Sequence, residues 1–167
     1  MLRRLVGSEM CIRDRIYIVD IHIQLMTIKK PTITEVILRD GQQSLIATRM
    51  KTEDMIPILK DMDKVGYSSV EVWGGATYDC CLRYLDENPW DRLKVFKKSF
   101  KNTKLQMLLR GKNLVGYRQF DDSVIEFFIQ NSIKYGINIF RIFDALNDIN
   151  NIESSIKFVK KGKENAQ

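Results

Sequence analysis

ITEVILRD (33–40), SSVEVWGG (68–75), KLQMLLRG (104–111) and INIFRIFD (137–144) are four short apolar runs of strand type, each meeting ionisable residues. A strand buried on both faces of a parallel sheet reads as a near-continuous apolar run. Charges there are costly unless paired or put to use. Three runs place an arginine at or beside their last positions (Arg39, Arg110, Arg141), and the fourth carries Glu71. Charge repeated at the carboxyl ends of successive parallel strands is how a β/α barrel builds a site, because its βα loops converge on that face.

From Arg39 to Glu71, Glu71 to Arg110 and Arg110 to Arg141 the separations are 32, 39 and 31 residues, one βα unit each time and four units in all. Helical spacing fills the gaps. Thr52 can cap a helix with Met55, Leu59, Met62 and Val65 on one stripe and Gly66 as its stop. Asn88-Pro89 splits the next segment in two, with Pro89 and Trp90 opening the second piece. Asp121 or Asp122 opens a helix with Val124, Ile125, Phe128 and Ile129 on a broad face and Gly136 as its end. A last helix carries Ile152, Ile156 and Val159 on one side. A doubly wound sheet would put a glycine-rich phosphate loop after the first strand, and RDGQQS has one glycine and an acid. The fold class expected is therefore α/β, a partial (β/α)8 TIM barrel. Eight strands close such a barrel, and about four βα units are present.

Composition bounds the function. Hydrophobic content of 44% and charged content of 29% suit a globular domain, and no apolar run reaches membrane-spanning length. Half of the +6 net charge sits in residues 1–30, so the charge does not point to nucleic acid. Lys157, Lys160, Lys161 and Lys163 read as a solvated helix end, where cations suit the dipole, with a polyanion patch as the lesser reading. Cys11, Cys80 and Cys81 are odd in number without CxxC or zinc spacing, which fits a reducing cytoplasm. The lone His22 lies outside the βα pattern. Residues 1–30 read as a foreign or disordered amino-terminal extension: LVGSEMCIRDR resembles translated adapter sequence, although IYIVDIHIQL alternates well enough for a strand. Residues 31–167 form the barrel part.

Taken alone, Arg39, Arg110 and Arg141 make a face able to hold a small carboxylate bidentately. Asp40 can contribute to a hard divalent cation, and Gln43 offers an amide donor and acceptor. The competing structural reading ties Arg39 and Arg141 to Asp79, Asp144 or Glu71 inside the barrel. Trp73 and Tyr78 read as packing.

The ordered motifs LRDGQQSLIATRM, VEVWGGATYD, NPWDRLKVF, QMLLRGKNLVGY and FRIFDALND resemble the carboxyltransferase domain of biotin-dependent enzymes over about residues 32–163. That group comprises pyruvate carboxylase, transcarboxylase and the oxaloacetate decarboxylase α-subunit. The family usually reads Ala-His where this chain has Gly41-Gln42, a departure that touches loop shape and leaves Arg39, Asp40 and Gln43 in place.

The resemblance implies a pyruvate carboxyltransferase barrel that moves CO2 between oxaloacetate or pyruvate and a biotin carried on a separate domain. It implies a divalent metal (Zn, Mn or Co class) ligated by Asp40, with a carbamylated lysine and a His-x-His pair as the other ligands. Arg110 becomes the substrate carboxylate clamp with Gln43 assisting. Arg39, Asp79 and Tyr117 become the polar group around the biotin ring, and Arg141 and Asp144 take supporting roles. Arg39, Gln43 and Arg110 are the candidate catalytic set. The metal-ligating lysine and His-x-His belong to later strands, so the chain is expected to be the amino-terminal part of an oxaloacetate decarboxylase α-subunit-like enzyme, inactive alone. Its further partners would include membrane decarboxylase subunits and copies of the parent in a homo-oligomer. Two alternatives remain. RDGQQ permits an acyl-CoA lyase or synthase of the same metal-dependent superfamily, against which WGGATYD and the Arg110 motif weigh. The other is a non-catalytic half-barrel binding module that covers its open first and fourth strands by pairing.

Overall fold

Five parallel strands lie side by side in chain order in the computed structural model, which describes residues 31–167. They are β1 (Thr34–Glu35), β2 (Ser69–Trp73), β3 (Lys104–Leu109), β4 (Ile137–Ile142) and β5 (Asn165–Ala166). That order decides between the two βα architectures. Right-handed crossovers that always step the same way put every helix on one face, as in a barrel wall. A doubly wound sheet reverses direction and covers both faces. The four βα units are present, and β5 opens a fifth. Residues 1–30 lie outside the described residues, and with them the foreign-segment reading, the IYIVDIHIQL strand, Cys11 and His22. Ile33–Gln167 form one compact unit.

The first strand is shorter than its apolar run. The Glu35 carboxylate accepts the N–H groups of Val36 and Ile37, both at 2.8 Å, and turns the chain out of the extended conformation. The Val36 carbonyl then accepts from Arg39, Asp40 and Gly41 at 3.1, 2.7 and 3.2 Å, closing a π-helical turn over Ile37–Gly41. Helix α1 (Gln42–Ile46) follows. Arg39 and Asp40 therefore come from the turn after β1 and not from its last positions.

Helix α2 (Thr52–Met62) buries Met55, Leu59 and Met62 as the spacing predicts. Val65 is 61% exposed, because the helix has ended and Gly66, at φ +89°, redirects the chain. Lys51 takes the cap position instead of Thr52. The Thr52 N–H and hydroxyl donate to Glu87 at 2.8 and 2.6 Å, so the capping carboxylate comes from far along the chain. Helix α3 (Gly75–Cys80) runs into a second π-helical turn (Cys81–Leu85), and α4 (Pro89–Ser99) opens at the expected break. There Asn88 Oδ1 accepts the Trp90 N–H at 2.9 Å. Helix α5 (Asp122–Lys134) buries Ile125 and Ile129, half-buries Phe128 and leaves Val124 exposed. Helix α6 (Ile149–Lys161) is rotated from the expected face: it buries Asn151, Ser155, Phe158 and Val159, with Ile152 and Ile156 half-buried. Two polar tethers set that rotation. The Ser155 hydroxyl donates to the Gly111 carbonyl at 2.9 Å, and the Asn151 amide donates to Asp144.

The sheet's helix-side face is the core. Trp73 is fully buried, stacked on Phe128 at 5.8 Å and edge-on to Tyr78 and Trp90 at 5.5 and 5.0 Å, which gives Trp73 and Tyr78 the packing role read from the sequence. The buried Asp63 carboxylate ties α2 to the turn before β3, accepting the N–H groups of Lys101, Asn102 and Thr103. Burial pushes its pKa up, but these bonds outweigh that and hold it below 3.8. A carboxyl lowered on folding binds fewer protons than in the unfolded chain, so its stabilisation is complete above the unfolded value and lost as pH falls through the folded one. Asp63→Asn should lower stability by about 2 kcal/mol at neutral pH. Urea melts should show the difference from the parent shrinking as pH drops below the ordinary aspartate range. Among the described residues no helix is long and apolar enough to cross a membrane.

Candidate active site

The face opposite the helices is polar. Thr34 and Ser69 hydroxyls meet at 2.8 Å, the Ser69 hydroxyl donates to Gln106 at 3.1 Å, and the Gln106 amide donates to Glu71 at 2.8 Å. Parallel register sets this row, pairing Glu71 with Gln106 and Leu108 with Arg141. Glu71 is its hub. Its carboxylate accepts Arg39 Nε at 2.6 Å, and Arg141 Nε and Nη2 at 2.7 and 2.8 Å. Of the three acids the sequence offered as partners for Arg39 and Arg141, Glu71 takes both. Burial drives its pKa up, yet the bonds from Arg141 and Gln106 and the charges of Arg39 and Arg141 together bring it below 4.5. The bond to Glu71 holds the Arg141 guanidinium charged, its pKa raised.

From this hub the site extends outward through Arg39, which is buried and donates through Nη1 to Asp40 at 2.8 Å. The Asp40 side chain is half exposed. At the exit of β2, Gly75 makes room for one guanidinium and Gly74 lies beside the methylene stem of another arginine. A Cβ on Gly74 would lie 3.5 Å from Arg39 Cδ, and one on Gly75 would lie 3.1 Å from both Cζ and Nη2 of Arg110. The WGG motif therefore seats Arg39 and Arg110 against neighbouring residues of one strand end. Arg110 is further held by the Gly116 carbonyl at 3.2 Å and lies 5.4 Å from the Tyr117 ring centroid. Gly111, next in the chain, has φ +41°, and a Cβ there would stand 2.4 Å from the Asn151 carbonyl oxygen. Only glycine lets α6 approach the end of β3.

Other candidates stand apart. Gln43 is exposed, whereas the neighbouring Gln42 is buried and donates to the Leu38 carbonyl at 2.7 Å. Asp79 pairs with Arg83 at 2.7 Å, and Tyr117 is 73% exposed. Among the described residues no hydrogen bond joins Arg39, Asp79 and Tyr117 to one another. Asp144 accepts the N–H groups of Leu146 and Asp148 at 2.8 and 3.0 Å, which with the Asn151 amide lower its pKa and fix the β4–α6 turn. Gln106 and the two glycines were not singled out as site residues from sequence. A polar residue inside the apolar KLQMLL run was the available signal for Gln106.

No group of three or more His, Cys, Asp or Glu among the described residues is placed to hold a metal ion. Asp40 alone does not make a metal site, so no chemical step is derived through one. What the arrangement offers is one guanidinium, Arg110, with no carboxylate in ion-pair distance among the described residues, near a buried Arg39 that is paired with Glu71 and the half-exposed Asp40.

No family model matches the chain. It is 60% identical over 129 residues to a pyruvate carboxylase subunit of Methanocaldococcus jannaschii, a match covering 77% of this chain and 23% of the relative. To the 2-oxoglutarate carboxylase large subunit of Hydrogenobacter thermophilus it is 55% identical over 133 residues, covering 80% and 20%. In three dimensions it matches the carboxyl transferase domain of Rhizobium etli pyruvate carboxylase, solved with oxamate and biotin, at a TM-score of 0.80 and 39% identity, covering 84% of this chain and 24% of that one. The chain thus spans about a quarter or less of the proteins it matches.

Proposed function

We propose, from the premise that this chain is homologous to the carboxyltransferase domain of biotin-dependent enzymes, that its strand ends form the 2-keto-acid wall of a carboxyltransferase site. The observation that carries the reading is the seating of Arg39 and Arg110 against Gly74 and Gly75. Arg110, held at its rear by Gly116 and flanked by Tyr117, keeps a guanidinium edge for the substrate carboxylate, with Gln43 assisting from α1. A second cation, Arg39, is fixed by Glu71 and cannot collapse onto the substrate. In this reading Arg39, Asp79 and Tyr117 face the biotin ring, Asp40 contributes to a divalent metal completed by ligands from elsewhere, and Arg141 and Asp144 support the wall. Two relatives named as carboxylases of 2-keto acids support the substrate class.

The reaction proposed is movement of CO2 between oxaloacetate or pyruvate and biotin carried on another domain, in the manner of a cytoplasmic oxaloacetate decarboxylase α-subunit. Membrane decarboxylase subunits and further copies of the parent are the partners that this reading adds. By itself the chain should bind the keto acid without exchanging its carboxyl group. Isothermal titration with oxamate should give saturable binding that Arg110→Lys weakens by about 10- to 100-fold, through loss of the bidentate contact. Equal binding by Arg110→Lys would overturn the assignment, and biotin-dependent exchange between oxaloacetate and pyruvate by the purified chain would overturn its inactivity alone.

A further inference from the structure

At the opposite, amino-terminal end of the sheet, lysines gather from separate elements. An open depression of about 490 Å³ between the end of α4 and the end of α5 is lined by Lys94, Lys97, Lys98, Lys101, Lys134 and Tyr135. Among the described residues no carboxylate lines it. Two of the lysines are held in place. The stem of Lys97 packs where a Cβ on Gly136 would come within 3.0 Å, with Gly136 at φ +111°, and its Nζ donates to the Lys134 carbonyl at 2.9 Å. Lys94 is fixed by Asp91 at 2.6 Å and lies 5.4 Å from the Tyr135 ring centroid. Among the described residues Lys97, Lys98, Lys101 and Lys134 have no carboxylate within ion-pair distance. The basic lining continues past Lys98 and Lys101 to Lys60 and to Lys64, which pairs with Asp61 at 3.0 Å, and the buried acid there, Asp63, is already engaged by backbone N–H groups.

Like charges gathered in a concavity raise the local potential and repel one another until an anion enters. We propose that this pocket binds a compact oligophosphate, a ligand with several adjacent phosphate groups, at a site separate from the strand-end site. The close grouping of the lysines favours that class over an acidic protein surface. Four ammonium groups without a carboxylate partner among the described residues, Lys97, Lys98, Lys101 and Lys134, around about 490 Å³ match several charges packed in a small volume better than carboxylates spaced along a polypeptide. Nothing in the proposal depends on the keto-acid assignment.

Titration calorimetry of the full chain with inorganic tripolyphosphate and, separately, ATP tests it. Saturable binding of either probe is expected, weakening steeply with salt. Equal affinity assigns recognition to the phosphate chain, and tighter ATP binding adds a base contact at Tyr135. Lys98→Gln/Lys101→Gln, both at exposed positions, should weaken binding by about tenfold or more with an unchanged thermal melt. Lys157→Gln/Lys160→Gln/Lys163→Gln, on the other lysine tract, should leave it within about twofold. Absence of saturable binding, equal weakening by both sets of substitutions, or equally tight binding of an oligoglutamate peptide would overturn the proposal.

Discussion

Replacing Glu71 with alanine lowers the unfolding free energy by about 3–5 kcal/mol, the range for removing one partner of a buried ion pair. The carboxylate is fully buried and answers two guanidiniums and an amide. Without it Arg39, itself buried, keeps only Asp40. Arg141 is less affected, because its side chain is 42% exposed and can turn to water. Most of the loss therefore falls on Arg39 and the π-helical turn that carries it. Glu71→Gln keeps the shape and one acceptor but not the charge, so its loss should be about half as large. The two variants also separate by pH. The Glu71 pKa is lowered on folding, so its charge-dependent stabilisation is present above about 4.5 and disappears as pH falls below that value. Urea melts from pH 7 to pH 3 (roughly the span over which carboxyls titrate) should show Glu71→Gln converging on the parent at the acid end. A constant gap across that range would mean that shape, not charge, makes the hub.

Gly111→Ala is expected to cost about 3 kcal/mol, combining overpacking with a left-handed backbone. The new Cβ would meet a backbone atom, the Asn151 carbonyl oxygen, at 2.4 Å, and no side-chain rotation relieves that. Either α6 moves out, breaking the Ser155 and Asn151 tethers, or the β3 end shifts and carries Arg110 with it. Gly66→Ala is the control: φ there is +89° with nothing within 4 Å, so it reports the backbone cost alone, about 1 kcal/mol. Chemical denaturation of both variants should show Gly111→Ala losing clearly more. Equal losses would mean that α6 does not lock the β3 exit.

The barrel wall was legible because its signal is local and repeated. Apolar runs at one-unit spacing named β2, β3 and β4, and Asn88-Pro89 marked the opening of α4. Strand β1 was overrun because one side chain, Glu35, turns the backbone where the apolar pattern continues. Strand β5 was missed because its residues, Asn165 and Ala166, carry no apolar alternation, and pairing with β4 alone makes them a strand. The rotation of α6 was hidden because Asn151 and Ser155 look like solvent-facing residues until Gly111 and Asp144 lie beneath them. In the site, the arginines declared themselves as charges at strand ends. Which acid answers them could not be read from spacing, since Glu71, Asp79 and Asp144 all follow apolar or turn residues in similar ways. Register decides it, by setting Glu71 beside Gln106 and within reach of Arg141.

Whether Arg110 and the β2 exit form one anion-binding wall is tested most directly by titrating oxamate into the isotopically labelled full chain and following amide and arginine side-chain resonances by NMR. The Gly75 amide and the Arg110 Nε–H should shift together along one saturating curve, because the guanidinium lies against that glycine. If those resonances stay fixed, while others move or none do, the keto-acid wall is contradicted.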